Sequence, residues 1–195
     1  MSYGIESRDY LKRAKEQLKK DTNESLFYAA LELRSGIEAR MLEYLEVQKH
    51  VSKKKRTGWQ VAKLARNIED AFRLGDKDAV LRMRDPDSHE VVFEVRYTPV
   101  KRSLREKAEI LGNYLHSAKR YYPDDHEYWL KFRELLSEGI SELEHANSGR
   151  LLGPLLMHPN KKHVDMKLEL PTIEEQEFAK SFTSNSNIIL EVSYE

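Results

Sequence analysis

Apolar residues recur at spacings of four and three from Leu26 through Ala30, Leu33, Ile37, Met41 and Tyr44, and Phe27, Leu31, Leu42 and Leu45 widen the stripe. A stripe this broad predicts one long helix over 21–48 that packs on at least two neighbours. Asp21 and Glu24 spell a capping box at its start. Four charged residues, Glu32, Arg34, Glu38 and Arg40, stand among the apolar positions. Arg34 and Glu38 lie one turn apart and can pair. Such a pair contributes little at a surface and becomes a structural element only where apolar flanks bury it.

The same pattern extends to both sides. Tyr10, Leu11, Ala14 and Leu18 predict a first helix from Ser7 to about Lys20, whereas 49–56 is too polar and like-charged to pack and reads as a loop. Thr57 and Gln60 begin another helix carrying Val61, Leu64, Ala65, Ile68 and Phe72, which Gly75 ends. The period then drops from near 3.6 to 2. Residues 79–84 and 90–97 flank Asp85, Pro86, Asp87 and Ser88, the composition of a turn, so a β-hairpin is predicted. Ser103 with Glu106 and Asp124 with Glu127 start two more helices, one on Leu104, Ala108, Leu111 and Leu115, the other on Tyr128, Phe132, Leu136, Ile140 and Leu143.

Beyond Arg150, an apolar stretch broken by Gly153, Pro154 and Pro159 reads as a strap laid across the helices. Alternation returns at 164–170 and 188–194, around a short helix started by Thr172 and Glu175. The fold class that follows is mainly α. We expect a single domain over 1–195, an antiparallel helical bundle of about five helices, with a β-hairpin insertion near 79–97 and a C-terminal strand pair near 164–194. The two strand pairs can join into one sheet, because an isolated hairpin is marginal.

Composition narrows the class. No run approaches the roughly 18 apolar residues of a membrane span, and the opening MSYGIESRDY has no apolar signal core. The absence of Cys removes thiolate nucleophiles and Cys-type metal sites, and it suits a reducing compartment. A cytoplasmic protein without a membrane partner, and without a cofactor, is expected. The formal charge is zero, yet residues 1–66 carry 15 Lys and Arg against 9 Asp and Glu, while 165–195 carry 2 against 7. That polarity suits either a phosphate backbone or an acidic tail that packs on the chain's own basic half.

The segment SLFYAALELRSGIEARMLEYLE within 21–48, supported by AEILGNYLH at 108–116, resembles the HEPN superfamily of compact helical domains of bacterial and archaeal toxins and defence systems. The resemblance implies one of two activities. Active members are metal-independent ribonucleases marked by an Arg, four to six intervening residues and a His near the start of a late helix at a homodimer interface. Others lack that motif and bind RNA or a partner protein.

Arg84 to His89 and Arg120 to His126 both fit the spelling. The first pair flanks the predicted hairpin turn. The second straddles Pro123 where one helix gives way to the next, so Arg120 and His126 are the catalytic candidates. His126 would move a proton at the scissile phosphodiester and Arg120 would stabilise charge on the phosphorane.

Two further groups bear on binding. Lys53, Lys54, Lys55 and Arg56, with Trp59 just beyond, combine phosphate-attracting charge with a stacking ring and form a candidate nucleic-acid contact. Asn113 and His116, taken with Arg34 and Glu38, make a candidate polar seam able to hold an anion. His158, His163 and Asp165 offer metal-ligand types, but Pro159 and two lysines between the histidines supply neither rigidity nor negative charge, so no metal is expected. No phosphate-binding glycine loop, GxSxG elbow or HExxH is present. A scaffold or regulatory subunit docking through 151–157 and 188–194 is the third alternative.

Overall fold

The computed structural model describes residues 3–58, 60–116, 121–154, 156–157, 164–165, 167–169, 172–173, 176–177 and 188–195. Among these the chain is mainly helical, with a small three-stranded antiparallel sheet. The helices are α1 (Ser7–Leu18), α2 (Asn23–Glu46), α3 (Lys53–Arg56), α4 (Val61–Phe72), α5 (Arg102–Leu115) and α6 (Glu127–Ser148). The strands are β1 (Ala79–Arg84), β2 (Val91–Tyr97), β3 (Leu156–Met157), β4 (Val164–Asp165) and β5 (Ile189–Tyr194). The chain separates into two compact units, one of 1–76 with 100–147 and one of 77–99 with 148–195. No helix among the described residues is long and apolar enough to cross a membrane.

In the first unit α2 is the central element. Leu26, Ala29, Ala30, Leu33, Ile37, Met41, Tyr44 and Leu45 are all fully buried, because α1, α4 and α5 pack around it and α6 lies along it. Side-chain partners fix the helix directions. Ser7 meets Gly36 and Arg13 meets Glu32, so α1 runs against α2. Phe27 touches Phe132 at one end, and Arg40 reaches the carbonyl of Ala146 at the other, so α6 runs in the same direction as α2. The two helices come close at glycines. A Cβ at Gly36 would stand 2.9 Å from Leu143 Cδ2, and one at Gly139 would stand 2.9 Å from Leu33 Cδ2.

Polar groups lock the other end of this pair. Arg40 is completely buried in α2. Its Nε donates to Tyr44 Oη (2.9 Å) and to the Ala146 carbonyl (3.1 Å), and its Nη1 donates to Glu43 Oε2 (2.9 Å). The Tyr44 hydroxyl donates to the same Ala146 carbonyl (3.1 Å), and Arg8 donates to that of Asn147 (2.9 Å). The last carbonyls of a helix have no intrahelical partner and carry partial negative charge, so these cations sit where they are favoured. Glu43 also accepts from the Ser7 N–H (2.7 Å), and Ser7 Oγ links Gly36 to Asn147. Three helices are thereby tied through one buried network.

The helix starts differ from the expected boxes, and in α2 and α5 a distant partner takes the predicted cap. Thr22 and Ser25, rather than Asp21 and Glu24, form the reciprocal box of α2. Asp21 instead adopts a left-handed conformation and accepts from Arg133. In α5 the cap position is Lys101, and Ser103 Oγ donates to Glu142. In α4 it is Gln60, with no side-chain cap. The basic loop contains one helical turn, α3.

In the second unit the sheet order is β2-β1-β5, all antiparallel. The predicted hairpin is β1 and β2. Its turn is held by Asp85 Oδ1, which accepts from the N–H groups of Asp87 and Ser88, and His89 takes a left-handed conformation. The C-terminal strand adds to β1, and the 164–165 segment pairs with β3. In the segment expected to form a strap, the Leu151 N–H donates to the Arg96 carbonyl and the Leu152 N–H to that of Lys167. One sheet face is an ion-pair ladder. Arg82 meets Glu94, Glu191 and Glu195, Arg84 meets Glu191, and Arg96 meets Glu94 and Glu195. Two carboxylates of the acidic tail, Glu191 and Glu195, thus pair with arginines of the hairpin.

Two outcomes test this account. Arg40→Ala removes one partner from a buried charged network and should cost about 3 kcal/mol of stability in urea unfolding at neutral pH, with Arg40→Lys recovering only part. The hydrogen bond from Arg96 and then that from Arg82 hold the Glu94 carboxyl below its usual range, and Arg84 does the same for Glu191. A lowered carboxyl contributes stability above its unfolded pKa, about 4.3, and loses it as pH falls through the folded value. The native NMR signals of the Leu81 and Val95 methyl groups should therefore weaken on acidification below that point.

Candidate functional site

Because α2 and α6 run in the same direction, both begin at the same end of the first unit, and their first turns bring aromatic side chains together. Phe27 meets the Trp129 ring edge-on at 5.9 Å and the Phe132 ring at 5.5 Å. Tyr122 stacks on Tyr128 at 4.1 Å with an interplanar angle of 3°, and Tyr128 meets Trp129 edge-on at 4.9 Å. Tyr114 extends the cluster by stacking on Phe132 at 4.1 Å. Burial raises the Tyr114 and Tyr128 phenols above their usual range, so both stay uncharged at neutral pH.

Of these rings Phe27, Tyr122, Tyr128 and Trp129 line an open cleft of about 520 Å³, within the range of ligand sites, together with Asn23, Glu24, Tyr28, Tyr121 and Asp124. Tyr28 is 61% exposed and Tyr121 85%. Polar contacts join the segments that form the cleft. Asn23 Nδ2 donates to Asp124 Oδ1 (2.8 Å), Trp129 Nε1 donates to the Pro123 carbonyl (3.0 Å), and Arg133 Nε donates to Asp21 Oδ1 (2.7 Å).

His126 lies beside this cleft as the residue before α6. Its Nδ1 accepts from the Tyr128 N–H (3.0 Å), its own N–H donates to the Pro123 carbonyl, and its ring is 5.0 Å from that of Tyr122. It thus does the capping expected of Asp124, with the expected box partner Glu127 paired to Lys131 instead. Arg120 lies outside the described residues. The other Arg–His spelling meets only through the backbone, where Arg84 Nη1 donates to the His89 carbonyl.

In the basic segment Lys55 pairs with Asp70 at 3.0 Å, and Arg56 Nη1 donates to the Glu46 carbonyl. Lys53 and Lys54 are exposed, and Trp59 lies outside the described residues. A smaller recess of about 320 Å³ beside α3 has His50, Ser52, Lys55, Asn67 and Asp70 in its lining. Of the candidate seam, Arg34 and Glu38 come together at 3.2 Å, half-buried, with Arg34 against Gly112, while Asn113 and His116 are exposed. Burial raises the Glu38 carboxyl, and the hydrogen bond from Arg34 opposes that shift. No cluster of metal-ligand residues occurs among the described residues, and His158 and His163 lie outside them.

The cleft-forming rings were not predicted as a site, although a signal was present: Tyr121, Tyr122, Tyr128 and Trp129 fall within nine residues of one another. No protein family, curated protein or solved structure matches the chain.

The capping geometry is testable. Replacing a helix cap by Ala costs about 1 kcal/mol, so His126→Ala should lower the unfolding free energy by that order, whereas His126→Asn, which can accept at the same place, should restore most of it.

Proposed function

We propose that this chain is a non-catalytic, HEPN-like module of the cell interior that binds a partner protein through the aromatic cleft. The observation that carries this reading is the cleft itself. Several large rings stand at an open surface beside carboxylates, where a domain that needed only internal stability would cover them. Large exposed aromatic side chains on a rigid helical frame supply binding area at low entropic cost. A bundle of α1, α2, α5 and α6, a cytoplasmic location and self-association belong to the same reading.

RNA binding and ribonuclease activity receive less support. Lys55 and Arg56 are already engaged by Asp70 and the Glu46 carbonyl, which leaves Lys53 and Lys54 as the cations of that turn without an ion pair among the described residues. The Nδ1 of His126 is occupied by a backbone N–H, so proton transfer would fall to Nε2 alone.

The test pairs two measurements. Purified protein incubated with single-stranded and structured RNA in the presence of chelator should cut none of it. A photoreactive residue replacing Tyr28 should crosslink to one discrete protein, and one replacing Lys54 to none. Chelator-resistant cutting that His126→Asn abolishes would overturn the proposal in favour of an enzyme. Salt-sensitive RNA binding lost in Lys53→Ala/Lys54→Ala would overturn it in favour of an RNA module.

A further inference from the structure

We infer that the cleft recognises an organic cation, specifically an alkylated ammonium head group; this rests on reading the cleft as the binding site and names what the site accepts. The faces of aromatic rings carry negative quadrupole potential; Tyr28 and Tyr121 line the opening as exposed rings, and Tyr122, Tyr128 and Trp129, packed on one another face to face and edge-on, complete its wall. A quaternary ammonium has no N–H to satisfy. It loses little by leaving water for such a surface, and it gains from every ring face it meets.

Among the described residues, the charged groups that line the cleft are Glu24 and Asp124, and they select the sign of the ligand. On the two segments that build it, 21–28 and 121–133, the carboxylates Asp21, Glu24, Asp124, Asp125 and Glu127 stand against Lys131 and Arg133. Both of those cations are engaged, Lys131 with Glu127 and Arg133 with Asp21. Glu24 makes no ion pair among the described residues, and Asp124 is held only through the uncharged amide of Asn23. The two helix starts contribute roughly half a positive charge each. Thr22 and His126 already accept from first-turn N–H groups there, and the carboxylates outweigh that contribution. A phosphate chain stacking its bases on these rings would bring its charge against this rim, and a cation would not. The cleft of about 520 Å³ holds such a head group with several atoms of the chain that bears it.

The same head group can arrive on a small free molecule or on a methylated lysine of a partner protein. The experiment is an NMR titration that follows the Trp129 indole N–H, assigned with a Trp59→Phe variant. Its probes are choline, the uncharged carbon isostere 3,3-dimethylbutan-1-ol, and a short peptide with a trimethyllysine. Choline or the peptide should shift the Trp129 signal, the isostere should bind about tenfold more weakly, and Tyr28→Ala should weaken the cation several-fold, the range expected of a cation–π contact. Glu24→Gln should weaken choline and leave the isostere unchanged. Both substitutions are at exposed positions, so the fold is kept. Tighter binding of the peptide than of choline assigns the head group to a partner's side chain, and the reverse order assigns it to a free cation.

Equal binding of the isostere would overturn the cation inference and leave the cleft as an apolar docking site. A stronger shift by a short uridine oligonucleotide would overturn it in favour of base stacking. If no probe binds, the inference fails; the crosslink at position 28 then decides separately whether the partner-binding reading survives.

Discussion

The buried guanidinium of Arg40 is the constraint on which the helical unit depends. A fully buried charge is tolerable only when its donors are satisfied, and here the partners are the Tyr44 hydroxyl, the Glu43 carboxylate and the Ala146 carbonyl. Satisfying them places the end of α6 beside the second half of α2. With both helices approaching closely at Gly36 and Gly139, the same-direction packing then extends to their starts. The aromatic cleft is a consequence at the far end of a lock that contains no cleft residue.

That arrangement separates two kinds of polar chemistry. At the closed end, the charges are buried and meet backbone carbonyls, which rigidifies and specifies the packing. At the open end, carboxylates stand beside the exposed rings of Tyr28 and Tyr121, which leaves both available to something else. The sheet unit uses charge a third way: Arg82 and Arg84 on the central strand meet glutamates of β2 and β5, and Arg96 on β2 reaches Glu195 just past the end of β5. Each such pair contributes modestly at a surface, but the shared arginines make a network and fix the register of β5.

Much of the secondary structure was legible because it is carried by local periodicity. The long stripe from Leu26 to Tyr44, the hairpin around Pro86 and the alternation of 188–194 each specify their own element. What was not legible depends on distant partners. Asp21 looks like a cap until Arg133, in a helix more than a hundred residues later, takes its carboxylate. Asp124 likewise looks like a cap until Asn23 takes it, which leaves His126 to do that work. Arg40 was visible as a charge on an apolar face, but only the position of Ala146 explains it. The cleft was hidden for a related reason. Tyr128 fits a core stripe, and nothing local says that Phe27 and Tyr28 come to the same end of the unit.

The central claim is therefore the shared direction of α2 and α6, and short proton–proton distances test it most directly. A nuclear Overhauser spectrum of isotope-labelled protein should show contacts between the Phe27 ring and the rings of Trp129 and Phe132, together with contacts between the Tyr44 ring and the backbone near Ala146. Contacts of Phe27 with the Ala146 end instead, or of Tyr44 with Trp129, would mean that the helices run in opposite directions, and the cleft would not exist.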